Sequence, residues 1–181
     1  MSTYAFADSR IGRFTVRALG AAMESRFRYR FFGPGRILSG ADIRPGQTVL
    51  EIGCGTGFFT LPAARYVGDK GSLVAMDILP ASVELVSEKV RCAGLKNVRV
   101  IRGDAMETKL NDESMDAVLL FGVVPAPMVP LYRLLPEMHR VLKPGGIMAV
   151  WPQFWMRRPI VRSGLFACAY KRNGVFNFKR I

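Results

Sequence analysis

Between residues 47 and 151 short β-rich runs alternate with helical patterns, and that alternation constrains the fold more than any other feature of the chain. Strands separated by helix-length segments are how a parallel α/β sheet is written. Thr48–Ile52 is an apolar strand that ends in glycines, and Phe58–Val67 reads as the helix after it. Ser72–Met76 is a second strand, closed by Asp77. Pro80–Ala93 is a helix with proline in its first turn, Gly94 in the terminating position and Val83, Val86 and Val90 on one face. Val98–Ile101 and Met115–Phe121 are the third and fourth strands, the latter apolar enough to be buried on both faces.

Residues 129–142 read as the next helix, with Pro136 predicting either a kink or a helix that begins near it. Lys143-Pro144-Gly145-Gly146 ends that helix and leads into a fifth strand, Ile147–Trp151. Leu165–Tyr170 and Val175–Phe178 then flank Asn173-Gly174, a dipeptide that tolerates the positive φ of a type I′ hairpin turn. The predicted fold is therefore α/β and Rossmann-like. Its seven-stranded sheet has five parallel strands followed by an antiparallel C-terminal hairpin, with helices on both faces.

Charge divides the chain into three. Residues 1–46 carry eight arginines and three acids, a net of +5; residues 47–151 balance at eleven of each sign. Residues 152–181 carry seven basic residues and no acid, a net of +7. A surplus concentrated in the flanks points to an anionic partner: a membrane surface, a nucleic acid or an acidic substrate. The run Arg26-Phe27-Arg28-Tyr29-Arg30-Phe31-Phe32 alternates cations with aromatics. It suits a cap over a site, an interfacial membrane segment or stacking with bases. Nucleic acid is favoured least, because no recognised RNA-binding module accompanies the run. Residues 1–35 are read as a basic helical lid and residues 36–181 as the enzyme domain.

Cys54, Cys92 and Cys168 are odd in number and form no CxxC pair, so neither a disulfide framework nor a metal site is expected. The longest uncharged run, Ala117 to Tyr132, is interrupted by three prolines and is shorter than the roughly 20 residues a membrane span needs. Asp8, Arg10, Arg13 and Arg17 break any apolar signal segment. The expected location is the cytoplasm, with peripheral contact to a membrane.

Gly53, Gly55 and Gly57 follow the first strand, where an open α/β sheet brings a loop past its ligand. Without side chains the backbone there can turn sharply and approach closely. A dinucleotide fingerprint needs Gly or Ala at residue 58, which is Phe58, so the spacing counts against NAD. Asp77 ends the second strand, where a carboxylate can accept both hydroxyls of a ribose; Asp104 ends the third, where an adenine amino group could be read.

Val49–Gly57 resembles the first motif of class I S-adenosylmethionine-dependent methyltransferases, and Asp77 and Gly103-Asp104-Ala105 match the acidic motifs that follow. Glu137–Gly146 is similar to the helix–turn signature of the small-molecule branch, to which quinone-biosynthesis, sterol and arsenite methyltransferases belong. The resemblance covers residues 36–151, and the hairpin matches the family's last two strands. It implies S-adenosylmethionine as cofactor, with S-adenosylhomocysteine as product. It implies that Gly53, Gly55 and Gly57, with Cys54 among them, line the methionine moiety, and that Glu51 lies near its amino group. Asp77 would hold the ribose hydroxyls and Ile78 would lie against adenine. Asp104 would contact the adenine amino group, flanked by Ala105 and Met106, and Phe121 would face the sulfonium side.

No catalytic base is assigned. His139 lies near the far end of its helix, away from the expected sulfonium position, and is given a structural or surface role. Phe121-Gly122-Val123-Val124-Pro125 lacks the Asn/Asp-Pro-Pro-aromatic motif of amine-methylating relatives, which favours a small apolar or amphiphilic acceptor. Pro152–Gly164 is short for a crossover helix, which is expected to shrink to a turn or two. The rival readings are an RNA methyltransferase and a non-catalytic S-adenosylmethionine-binding regulator.

Overall fold

The computed structural model describes residues 33–123, 129–152 and 154–181. Residues 1–32 of the expected lid, with the arginine–aromatic run, and Val124-Pro125 lie outside the described residues. In chain order the elements are α1 (Pro34–Leu38), β1 (Thr48–Ile52), α2 (Thr60–Val67), β2 (Ser72–Asp77), α3 (Pro80–Cys92) and β3 (Val98–Arg102). There follow β4 (Met115–Phe121), α4 (Leu131–Val141), β5 (Leu142–Trp151), a 3-10 turn at Phe154–Met156, α5 (Arg157–Arg162), β6 (Phe166–Arg172) and β7 (Val175–Arg180).

One seven-stranded sheet runs in the order β3-β2-β1-β4-β5-β7-β6. The first five strands pair in parallel, and β7 is antiparallel to both β5 and β6. The sheet grows one way through β1, β2 and β3, then resumes on the other side of β1. That reversal opens a crevice beyond the carboxyl ends of β1 and β4.

Strand periodicity sorts the core into two layers. Val49, Ala117, Leu119 and Phe121 pack with Ile37, Leu38, Ala63 and Val67 on the face covered by α1 and α2. Leu50, Ile52, Val118 and Leu120 pack with Leu134, Met138, Val141 and Ile160 on the face covered by α4 and α5. Helix α3 joins the first face through Val86 and Val90 against Ala75. Helices lie on both faces, as the alternation in the sequence required.

Three local differences have plain causes. Helix α2 begins at Thr60 rather than Phe58, because Gly57 at φ 83° and the turn closed by its N–H on the Cys54 carbonyl extend the loop. Helix α4 runs unbroken from Leu131 through Pro136. Its four buried side chains, Leu134, Leu135, Met138 and Val141, contribute roughly 2 kcal/mol each, which outweighs the roughly 3 kcal/mol of a mid-helix proline. Strand β5 begins at Leu142 rather than Ile147; Leu142 pairs with Met115, and regular pairing resumes only at Ala117 with Ile147. The Lys143–Gly146 segment is thus an irregularity within the strand, with Gly145 at φ 73°. The hairpin turns at Asn173 (φ 49°) and Gly174 (φ 80°), both left-handed as the dipeptide predicted. Asn173 also ties the hairpin to α1, donating to Ser39 Oγ at 2.9 Å.

The Glu137–Gly146 signature has a structural reason. Glu137 Oε1 accepts the backbone N–H of Thr108 at 2.8 Å and its hydroxyl at 2.6 Å, while Arg140 donates to both Glu137 oxygens. Arg140 also donates to the Leu110 carbonyl and pairs with Asp112. Together they hold the β3–β4 connection on α4. Arg140 and the Thr108 donors push the Glu137 pKa down to about 2, from 4.5. A depressed folded-state pKa stabilises above the unfolded value, so this contribution is present above pH 4.5 and lost as pH falls toward 2. Glu137→Ala strands four donors and is expected to lower stability by about 2 kcal/mol, read as a shift in the urea midpoint at pH 7.

Candidate functional site

Strand β1 delivers the glycine loop to the crevice. The N–H groups of Gly53 and Cys54 both donate to the Met76 carbonyl, at 2.8 and 3.0 Å, which bends the chain over the end of β2. Gly53, Gly55 and Gly57 all have positive φ, at 71°, 54° and 83°. A Cβ on Gly53 would stand 2.7 Å from Val123 Cγ2, so the loop passes the end of β4 with no room for a side chain.

Asp77 closes β2 directly beneath this loop. Its Oδ2 accepts the Gly55 N–H at 2.8 Å and its Oδ1 accepts the Leu79 N–H at 3.0 Å. The carboxylate therefore organises both the glycine loop and the start of α3, at 8% exposure. Burial raises its pKa, and the backbone donors at Leu79, Gly55 and Ile78 oppose that shift.

Glu51 lies deeper, 2% exposed on β1, where its Oε2 accepts the Thr60 hydroxyl at 2.6 Å. Burial pushes its pKa up to about 8, the Asp77 charge adds to the rise, and Thr60 opposes it. Cys54 is buried in the loop, where desolvation and then the Glu51 and Asp77 carboxylates push its thiol pKa up. A thiol so protonated is no nucleophile.

Asp104 sits beyond β3, adjacent to Asp77's strand: Arg102 and Asp77 are register partners. Its Oδ1 accepts the Met106 N–H at 2.8 Å and its carbonyl accepts the Glu107 N–H at 3.0 Å, forming a tight turn that also holds Ala105. Ile78 is half-buried, and its carbonyl accepts Arg102 Nε at 3.3 Å. The fold thus brings the glycine loop, Glu51, Asp77, Ile78 and the Asp104–Met106 turn to one sheet edge.

Phe121 also reaches that edge, but its ring is 6% exposed and packs against Phe59 at 4.9 Å between ring centres. Phe59 in turn meets Phe58 at 4.9 Å and Trp151 at 5.9 Å. Phe59 and Trp151 were not singled out from the sequence, although Phe58-Phe59 directly after the glycines was an available signal. Lys89 was missed too. Its Nζ donates to the Thr56 carbonyl at 2.9 Å, so α3 holds the loop one residue beyond the point where Asp77 does. His139 lies elsewhere, with Nε2 2.8 Å from the Ile181 carbonyl and its ring edge-on to Phe166. Among the described residues no His, Cys, Asp or Glu cluster could hold a metal.

The glycine loop and Asp77 lie at the switch point of this sheet, where open α/β folds receive their ligands. A family model described as a methyltransferase domain matches residues 49–146. The demethylmenaquinone methyltransferase of Staphylococcus aureus (strain MRSA252) is 37% identical over 115 residues, 62% of this chain and 46% of that protein. That of Geobacillus stearothermophilus is 35% identical over 112 residues, covering 61% and 47%. The chain spans about half the length of these relatives. In fold, a solved SAM-dependent methyltransferase from Aquifex aeolicus superposes with a TM-score of 0.77 at 24% identity, covering 93% of this chain and 97% of that one. The chain belongs to the methyltransferase domain family, class I and S-adenosylmethionine-dependent.

Proposed function

We propose that the chain transfers a methyl group from S-adenosylmethionine to a small amphiphilic acceptor of quinone type, taken up at a membrane surface. The observation that carries the reading is Asp77, whose carboxylate holds the glycine loop at Gly55 while keeping lone pairs for a ligand. The residues fit the cofactor. Gly53, Gly55 and Gly57, all at positive φ, would cradle its methionine part together with Cys54, and Glu51 would lie beneath the amino group. Asp77 would accept the ribose hydroxyls, Ile78 would lie against adenine, and Asp104, with Ala105 and Met106, would read the adenine edge. Phe121, with Phe59 behind it, would wall the sulfonium side.

When bound, S-adenosylmethionine supplies an already activated methyl carbon. The chain's own part is to fix the two reactants in line and exclude water, an effect able to supply roughly 7–11 kcal/mol. Gly122 and Val123, at the end of β4, offer no side-chain proton acceptor, which suits an acceptor that ionises readily. The quinone assignment rests on the relatives, which are named for demethylmenaquinone.

The test supplies the full chain with methyl-labelled S-adenosylmethionine and either a demethylated quinol in detergent or bulk RNA. Label is expected in the quinol alone. Transfer to RNA but not quinol would replace this reading with the RNA one. Cofactor binding without transfer to either would leave a non-catalytic binding protein.

A further inference from the structure

We propose that α5 and the first turn of α4 form a docking surface for an anionic lipid membrane, a reading that rests on the amphiphilic acceptor proposed above. Ile160 of α5 and Met156 just before the helix turn inward, both at most 4% exposed, and the rest of the helix's circumference is left outside. Three large apolar side chains stand out there: Tyr132 at 79% exposure, Trp155 at 52% and Val161 at 41%. Between the two helices runs an open groove of about 440 Å³, floored by Leu131, Leu135, Pro136 and Leu165. Tyr132 borders this groove, while Val161 on α5 and Trp155 just before it add apolar surface along the same helix; an apolar groove open to solvent marks an interaction site.

The charge around it selects the partner. Arg133, Arg157, Arg158 and Arg162 are exposed, and none forms an ion pair among the described residues. Arg44, Arg91, Arg140, Lys143 and Arg180 elsewhere each do. Residues 152–181 contain no acid at all. Guanidinium groups match phosphate geometry, and Trp and Tyr favour the boundary between headgroups and acyl chains. A polynucleotide would satisfy the arginines and could stack on the exposed rings, but the aliphatic floor of Leu131, Leu135, Pro136 and Leu165 gives its bases no stacking partner and suits acyl chains.

Topology gives the surface its use. Helix α4 descends from the carboxyl edge of β4, with Tyr132 in its first turn, and Trp155 follows β5's carboxyl end at Trp151 by four residues. The crevice opens at that same edge. A membrane seated on Tyr132 and Trp155 would face the mouth through which an amphiphilic acceptor enters.

The experiment is co-sedimentation of the full chain with phosphatidylcholine vesicles, plain or containing about a third phosphatidylglycerol. Binding to the anionic vesicles alone, weakened by salt, is expected. Each arginine near such a surface contributes roughly fivefold, so the triple variant Arg157→Gln, Arg158→Gln, Arg162→Gln should bind about a hundredfold more weakly. Trp155→Ser should lose part of the binding. Cofactor affinity of both variants, measured by calorimetry, should match the parent and shows that they are folded. Undiminished vesicle binding by the triple variant would place the contact elsewhere and overturn the proposal. So would equal binding to plain vesicles, or preferential binding to an RNA oligomer. None of these outcomes depends on methyl transfer, so the surface and the activity fail separately.

Discussion

Asp77→Ala is expected to weaken S-adenosylmethionine binding at least a hundredfold while leaving the chain folded. Hydrogen bonds to a charged group contribute about 1.5–3 kcal/mol each, and the proposed ribose contact supplies two of them. The substitution acts twice, because Asp77 also accepts from Gly55 at 2.8 Å and from Leu79 at 3.0 Å. Without those anchors the loop loses its hold at Gly55, while the Met76 carbonyl still holds Gly53 and Cys54 and Lys89 still holds the Thr56 carbonyl. Asp77→Asn should fall between parent and Ala, since an amide keeps one acceptor oxygen but turns a donor toward a backbone N–H. Affinity in the parent should also decline on acidification, because burial raises the Asp77 pKa and a protonated carboxyl cannot accept both hydroxyls. Calorimetric titration against thermal melting by circular dichroism separates binding from unfolding. Affinity within threefold of the parent, in a folded Asp77→Ala protein, would remove Asp77 from the site.

What the sequence reveals and what it hides follow from the range of the interactions. The parallel strands are legible because burial on both faces writes continuous apolar runs, and the hairpin is legible because Asn173-Gly174 is a local backbone code. The order of strands is harder to read, but the glycine loop after β1 and the acids after β2 and β3 mark which ends face the ligand. Lys89 was invisible because an isolated lysine on a helix looks solvated; only the fold brings it to Thr56, 33 residues away. Glu137 is the opposite case. Its motif was recognised, yet its job of holding the β3–β4 connection through Thr108 spans 29 residues and cannot be seen along the chain. Pro136 shows local propensity overruled by the buried face of α4.

The second large effect is on stability against pH, and it lies in Glu51. Burial pushes the pKa of this carboxyl up to about 8, from an ordinary value of 4.5. Desolvation dominates, because the group is 2% exposed and its hydrogen bond from Thr60 offsets only part of the loss of water. A raised folded-state pKa stabilises below the unfolded value and loses that contribution as pH climbs through the folded one. The Glu51 contribution to the stability of the ligand-free chain should therefore be complete at pH 4.5 and below. It should decline between there and about pH 8, then level off. At roughly 1.4 kcal/mol per unit the accumulated loss is on the order of 5 kcal/mol. That opposes the Glu137 pair, whose contribution is already complete above pH 4.5 and so leaves this window to Glu51. Glu51→Gln keeps the shape and an acceptor for Thr60 but cannot ionise. It should match the parent near pH 5, exceed it at pH 8 and flatten the profile between. Urea unfolding at half-unit pH steps measures this directly, and a parent profile as flat as the variant's would mean that Glu51 ionises in the folded chain as easily as in water.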